Sequence, residues 1–458
     1  MKKALRECAE KTRTWRNKGA LRALAEKYSG ELKLSAATVA AQLLPLAALP
    51  AIGRLVPPES YGGYGLFLSA VNTASPLICL KYDAAVVTVR EDKRAAMLAA
   101  ACGALCAAAG AFALLLAAVA SMLMPLPRWA WLLPAALGLS GGYYGANGVC
   151  LRDGRYTRIA AAAALRSAVL GAAQLLLCRV CAAIPALDGK EGFALALALG
   201  LTVSYLAGLL TLLPPALALV KRYRYSRKIC SGEYICPKNV RGVMKKYLPF
   251  VRFTFPAAGA ASVASNLLSP VVSFVYGAAA LGCYTVAAKA LSAPVTVISS
   301  PVSQVYFRDI SQRMTRERMT SALRLLTLLA IPVYLALFLL AGPVLPLLFG
   351  GGWAEAAWLI RLLCPLYAIR FVTVPFFSTA IVAGRQREAL RWQKRLLTWT
   401  LVSLSTAFLP SAPFALLMTA YSVALGAGSV AFCRYNFRIA AEAQDKRLFP
   451  EGGGHAQA

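Results

Sequence analysis

Besides Arg158 and Arg434 near stretch ends, seven lysines and arginines lie within the long apolar stretches of this chain: Lys81, Arg166, Arg179, Arg252, Lys289, Arg361 and Arg370. Apart from Glu355 at the first position of one stretch, Asp83 is the single acid in them. A charge at the centre of a bilayer costs ~2.5–3.5 kcal/mol even on lenient scales, so it faces a cavity or a partner. One acid cannot neutralise seven bases. The arrangement implies a water-filled space between helices that receives a large anion. This is the chemistry of recognition and not of bond-making. The lone histidine is His455, and no phosphate-binding loop of the G-x-x-x-x-G-K-[ST] type is present, so ATP is not expected to drive the chain directly.

Spacing assigns these charges to faces. Residues three and four apart share one side of a helix. Thr285, Lys289, Ser292, Thr296, Ser300 and Ser303 form one polar stripe. Arg252, Gly259, Ser262, Asn266, Ser269 and Ser273 form a second. Small and hydroxyl residues alone mark helix–helix contacts. With Lys289, Arg252 and Asn266 among them, the stripes read as cavity lining. Arg370 is mid-helix and belongs with them. Ser69, Asn72, Pro76 and Asp83 share a face if their helix is straight, with Lys81 nearly opposite. Asp83 is expected to be a counter-ion to Arg252 or Arg166. Lys81 lines the cavity or snorkels to the cytoplasmic surface, Arg179 is near enough to the outer surface to snorkel, and Arg361 with Trp358 reads as an interfacial anchor.

A helix needs ~20 mostly apolar residues to cross the membrane and carry such stripes. Twelve stretches qualify, at 34–53, 62–89, 95–124, 129–150, 157–183, 192–219, 248–276, 281–307, 325–349, 355–384, 396–410 and 412–437. With the N-terminus inside, thirty-nine of the 49 Lys and Arg fall on the inner side, against Arg54, Arg128 and Lys190 outside. One missed span would invert every later loop, so this alternation supports the whole set. The expectation is an all-α integral membrane protein. Twelve transmembrane helices form two six-helix lobes, 34–219 and 248–437, around a central cavity. A basic cytoplasmic segment (1–33) precedes them, a basic linker (220–247) joins them, and a cytoplasmic tail (438–458) comes after. The segment 1–33 reads as a helix on the inner leaflet or as a basic tail.

Composition excludes other classes. The chain has 458 residues, 59% of them hydrophobic, with a mean hydropathy of +0.60. Its net charge of +30 is divided among short clusters between apolar runs, which is membrane topology and not a nucleic-acid surface. Most cysteines sit in apolar segments as small hydrophobes. The pairs Cys178/Cys181 and Cys230/Cys236 lack the companions a metal or redox site requires. No cofactor is expected; an ion gradient, of unassigned ion, is the expected energy source. The short outer loops leave no room for a catalytic domain, and the chain is expected not to be an enzyme.

The run Arg54-Leu-Val-Pro-Pro-Glu-Ser-Tyr-Gly-Gly-Tyr-Gly-Leu-Phe, followed by Leu80-Lys-Tyr-Asp-Ala-Ala-Val-Val, resembles the first two helices of bacterial polysaccharide-biosynthesis flippases. These are the O-antigen and exopolysaccharide exporters of the multidrug/oligosaccharidyl-lipid/polysaccharide superfamily. Gly282-Cys-Tyr-Thr-Val-Ala-Ala-Lys, with Pro294 and Val302-Ser-Gln-Val-Tyr-Phe, resembles their eighth helix. The resemblance implies a flippase of the bacterial inner membrane, with both termini cytoplasmic. It would move an undecaprenyl-pyrophosphate-linked oligosaccharide by alternating access, alongside polysaccharide polymerase and assembly proteins. Lys81, Asp83, Arg252, Asn266, Lys289 and Arg370 are the expected substrate contacts. Lys81 and Asp83 carry over from the motif and the others come from charge and spacing. Two alternatives stand beside this reading: a multidrug exporter of the same superfamily, and a flippase for the lipid-linked peptidoglycan precursor.

The charge asymmetry has a direct test. Tags inserted at 350–354 should react with an impermeant reagent applied outside the cell, and tags at 385–395 should not. The reverse labelling would refute the topology.

Overall fold

A computed structural model describes residues 43–89, 91–184, 189–225, 237–299, 302–303, 306, 316–383 and 385–445. Expectations for the segment 1–33, for Cys230 and Cys236, for Ser300 and for His455 lie outside the described residues. The described residues are helical with no strand among them. The helices are α1 (Leu43–Leu55), α2 (Pro58–Ile78), α3 (Tyr82–Thr88), α4 (Asp92–Leu123), α5 (Leu133–Arg152), α6 (Tyr156–Ala183) and α7 (Lys190–Tyr225). After the linker come α8 (Pro237–Lys246), α9 (Leu248–Asn266), α10 (Leu268–Pro294), α11 (Arg316–Phe349), α12 (Ala354–Thr373), α13 (Gln386–Ser405) and α14 (Phe414–Asp445).

Among the described residues seven helices are long and apolar enough to span a bilayer, eight if the bent pair α2–α3 counts as one. One of the seven, Thr254–Ser299, is divided by Gly277, whose φ of 91° no helix accommodates, into the two spans expected there. The helices α5 and α13, 20 residues each, fall short on apolarity, and Leu43–Leu55 on length. The count of twelve is therefore not reached by length and apolarity alone. Helix α5 can be less apolar because its Gly141, Gly145 and Gly148 are buried against α2–α4.

Packing divides in two. In the first half, α7 packs on α6, α5 and α2, and α4 packs on α5. In the second half, α12 packs on α11, α14 and α10, and α13 packs on α9 and α14. The halves meet chiefly where α2 crosses α10 and α9.

Glycine sets the distance of that crossing. A Cβ at Gly62 would strike the Ala278 carbonyl, and one at Gly282 would strike the Pro58 carbonyl. The backbones of α2 and α10 thus touch without side chains between them, as small residues allow inside membranes. The same end of the seam is reinforced by Arg54, whose Nε and Nη2 donate to the carbonyls of Leu348 and Leu347 at 2.9 Å each. Trp353 Nε1 donates to the Gly53 carbonyl at 2.9 Å, and its ring meets Tyr61 edge-on at 5.8 Å.

Proline deforms the other end of both crossing helices. Pro76 cannot donate to the Asn72 carbonyl, and α2 ends soon after it, at Ile78. Leu80 and Lys81 then adopt φ of 49° and 63°, a left-handed conformation that costs non-glycine residues about 1–2 kcal/mol each. Helix α3 departs at 43° to α2. Pro294 closes α10, and the chain continues through a π-turn at Val295–Ser299.

Gly282→Val should force α2 and α10 apart at a cost of ~1–3 kcal/mol and lower the thermal midpoint of the purified protein. Gly103→Ala, on α4, meets open space and should raise or preserve it. An unchanged midpoint for Gly282→Val would contradict the close crossing.

Candidate functional site

A cavity of about 410 Å³ lies at the seam between the halves. Gly65, Leu68, Ser69 and Asn72 of α2 form one wall. Ser265, Asn266 and Ser269, at the break between α9 and α10, form another, and Tyr367 and Arg370 of α12 a third. The polar stripe of α10 forms the rest: Thr285, Lys289, Ser292 and Thr296 all line the space. Among the described residues the lining carries two cations, Lys289 and Arg370, and no carboxylate.

Lys289 reaches across the seam. Its Nζ donates to the Tyr61 hydroxyl at 2.8 Å and lies 4.7 Å from the ring centre of Tyr64 and 5.1 Å from that of Tyr61. Tyr61 and Tyr64 are three residues apart on α2 and so share a face, and both rings are buried. A hydroxyl and two π faces hold an ammonium without neutralising it. Arg370 is held similarly, with its guanidinium carbon 5.7 Å from the Tyr367 ring centre. Between the two cations the wall is polar. Ser69 Oγ donates to the Asn266 carbonyl at 2.8 Å, another bond across the seam, and Asn266 Nδ2 donates to the Ser262 carbonyl at 2.8 Å.

Three of the six expected contact residues, Asn266, Lys289 and Arg370, thus meet in one cavity. Arg252 does not line it. That residue is exposed and precedes Asn266 by fourteen residues, about 21 Å along the helix and within ~40° of the same face. It marks the approach to the cavity from the Leu248 end. Lys81 and Asp83 do not line it either, because the chain turns away at the break: Lys81 is part of the break and Asp83 is on α3. A Cβ at Gly148 of α5 would lie 2.6 Å from the Asp83 carbonyl oxygen, so Asp83 is clamped inside the first half. Its Oδ1 is buried without a hydrogen-bond partner. The expected pairing of Asp83 with Arg166 or Arg252 is therefore corrected: among the described residues no ion pair joins them. A straight helix would have kept Asp83 on the face of Asn72; the left-handed pair removes it.

The remaining intramembrane bases have other surroundings. Arg166 lies over Tyr143 and Tyr205, at 5.5 and 5.2 Å from the ring centres, inside the first half. Arg361 is exposed and its Nε donates to the Phe338 carbonyl at 3.3 Å, beside the exposed Trp358. Arg179 is exposed. Spacing arguments missed the tyrosines. The signal was present in the Tyr61-Gly-Gly-Tyr64 run, whose i, i+3 spacing places two rings where one cation can sit.

Residues 232–358 match the model of a family described as polysaccharide biosynthesis protein. Over 164 residues the chain is 24% identical to the teichuronic acid biosynthesis protein TuaB of Bacillus subtilis (strain 168). That match spans 35% of this chain and 34% of the relative, about a third of each. Both likenesses are to proteins of polysaccharide biosynthesis. The whole fold is similar to a multidrug resistance MATE family transporter of the MOP superfamily in its inward-facing conformation: TM-score 0.61, 16% identity, 88% of this chain and 96% of that one. It is also similar to a MOP superfamily transporter from Pyrococcus furiosus, described as having a binding pocket of reverse polarity: TM-score 0.56, 17% identity, 90% of this chain and 95% of that one. The chain is thus a multi-span membrane protein with the MOP transporter fold.

Asp83→Asn should leave the thermal midpoint unchanged or raise it, since no ion pair is lost among the described residues. A drop matching the ~3–5 kcal/mol of a broken buried ion pair would show that Asp83 has one.

Proposed function

We propose that the chain moves a lipid-linked anionic oligosaccharide, carried on undecaprenyl pyrophosphate, across the bacterial cytoplasmic membrane by alternating access. The observation that carries this reading is the seam cavity, with two unneutralised cations and no acid. Lys289 and Arg370 receive the diphosphate. Ser69, Asn72, Asn266, Ser269 and Ser292 offer hydroxyls and amides to sugar hydroxyls. Arg252, at the cavity approach, draws the anion inward. With the sidedness given by the basic loops, the glycine-tight, arginine-braced end of the seam is outer, and this structure is closed there.

The multidrug exporter reading draws on the fold likeness to a MATE transporter. An organic cation in this cavity would meet Lys289 and Arg370 with no acid to offset them. The Pyrococcus furiosus transporter, with its pocket described as of reverse polarity, is a precedent for the same fold holding a pocket of different charge. A peptidoglycan-precursor flippase would share the diphosphate chemistry; the match to polysaccharide biosynthesis proteins favours the oligosaccharide.

The test is the leaflet distribution of lipid-linked oligosaccharide in cells depleted of the protein. The expected result is accumulation on the cytoplasmic leaflet, restored to export by the wild-type chain. Lys289→Ala and Arg370→Ala should each cut that restoration at least tenfold with membrane insertion intact, and Arg252→Ala should cut it less. An unchanged distribution on depletion, with greater sensitivity to small toxic compounds, would overturn the reading in favour of drug export.

A further inference from the structure

The second half contains a larger space that the transport reading does not use. A groove of about 840 Å³ runs between α11 and α14 with α12 as its floor. From Leu323 to Phe338 it tracks sixteen residues of α11, about 22 Å, deeper than one leaflet of the ~30 Å hydrocarbon core. Its walls are apolar. The hydroxyls it contains are committed: Tyr334 donates to the Leu291 carbonyl at 3.0 Å, Thr327 to Leu323 at 2.8 Å and Thr373 to Ile369 at 2.9 Å.

Charge enters only at one end. Arg434 and Arg438 line the groove there, one helical turn apart on the same face of α14. Among the described residues no carboxylate pairs with either. The nearest acid along α14, Glu442, is taken by Arg385 at 2.6 Å. An apolar trough along the bilayer normal, capped by two guanidiniums at the membrane surface, has the shape and charge of one molecule: a phospholipid with an anionic headgroup. A transported sugar would find no hydrogen-bond partners on these walls. The basic segment 1–33, with ten Lys and Arg against four Glu, would be repelled by the mouth.

We infer that this groove binds an anionic glycerophospholipid, its phosphate at Arg434 and Arg438 and an acyl chain along α11 and α12. The site is separate from the transport cavity but shares a wall with it. Tyr367 and Arg370 face the cavity, while Ala368, Ile369 and Val372 face the groove, so a bound lipid braces the helix that carries Arg370.

The experiment is native mass spectrometry of the full chain in detergent, supplied with phosphatidylglycerol or phosphatidylcholine of identical chains. The wild-type protein should retain one phosphatidylglycerol at least tenfold in preference to phosphatidylcholine, with a raised thermal midpoint. Arg434→Gln/Arg438→Gln should bring the two lipids to parity. Ala368→Trp, which fills the trough and leaves the arginines, should reduce retention of phosphatidylglycerol. Equal retention of both lipids by the wild type, or unchanged selectivity in the double variant, would overturn the proposal. Displacement of the retained phosphatidylglycerol by equimolar undecaprenyl phosphate would also overturn it, since the groove would then belong to the carrier lipid. Neither arginine lines the seam cavity, so failure here leaves the transport reading standing.

Discussion

Lys289 organises the molecule because its charge is answered from the opposite half. The ammonium sits on α10, and the oxygen and π faces that hold it sit on α2. Side chains of ordinary size between these helices would hold Tyr61 too far away. The backbone contacts at Pro58–Gly282 and Gly62–Ala278 are what make the 2.8 Å bond possible. Under the transport reading the consequence is mechanical. Separating α2 from α10 at this end takes Tyr61 from Lys289 and leaves the ammonium to water or to an anion. Closing the seam offers Tyr61 back in competition with the anion. A tyrosine suits this role better than a carboxylate, which would hold the lysine in both states and repel the substrate.

The two crossing helices are deformed where the glycine contacts end. Pro76 in α2 and Pro294 in α10 each remove one helical hydrogen bond. Beyond Pro76 the backbone turns through a left-handed pair, and beyond Pro294 through a π-turn. The left-handed pair carries about 2–4 kcal/mol of conformational cost across two residues, held in place by the clamp of Gly148 on Asp83. Helices broken near a central site free backbone groups where they line a cavity. Asn72, whose carbonyl Pro76 releases, does line it. The run Leu80-Lys-Tyr-Asp is therefore a break in the helix, and its lysine and acid have structural surroundings instead of a place in the cavity.

These breaks decide which parts of the site could be read from the sequence. The α10 stripe was legible because that helix stays regular from Ala278 to Pro294, so spacing alone gives the face. Asn266 was placed by the second stripe, although most of that stripe lies outside the cavity and the helix ends at Asn266, and Arg370 by its depth in the apolar stretch. Asp83 and Lys81 were misplaced because two non-glycine residues in left-handed conformation leave no compositional mark; Pro76 warned of a bend and not of its direction. The pairing of Lys289 with Tyr61 was illegible, since residues 228 apart in sequence meet only through the lobe crossing. The long helices were legible from apolarity except at α5, where buried glycines and tyrosines replace aliphatic residues, and at α13, whose first half is strongly charged.

The fold is held in common with multidrug transporters, so the sign of the cavity must decide what it accepts. A monovalent cation ~4 Å from Lys289 is opposed by about 4 kcal/mol at an effective dielectric constant of ~20, about a thousandfold in affinity. The same distance favours a phosphate oxygen by a similar amount. Arg370 adds a second contribution of the same sign from another helix, and no acid in the lining subtracts from either. Hydroxyl and amide groups are indifferent to this sign, which is why the serine stripes alone could not separate sugar from drug. The two cations can, and under the transport reading they favour the diphosphate.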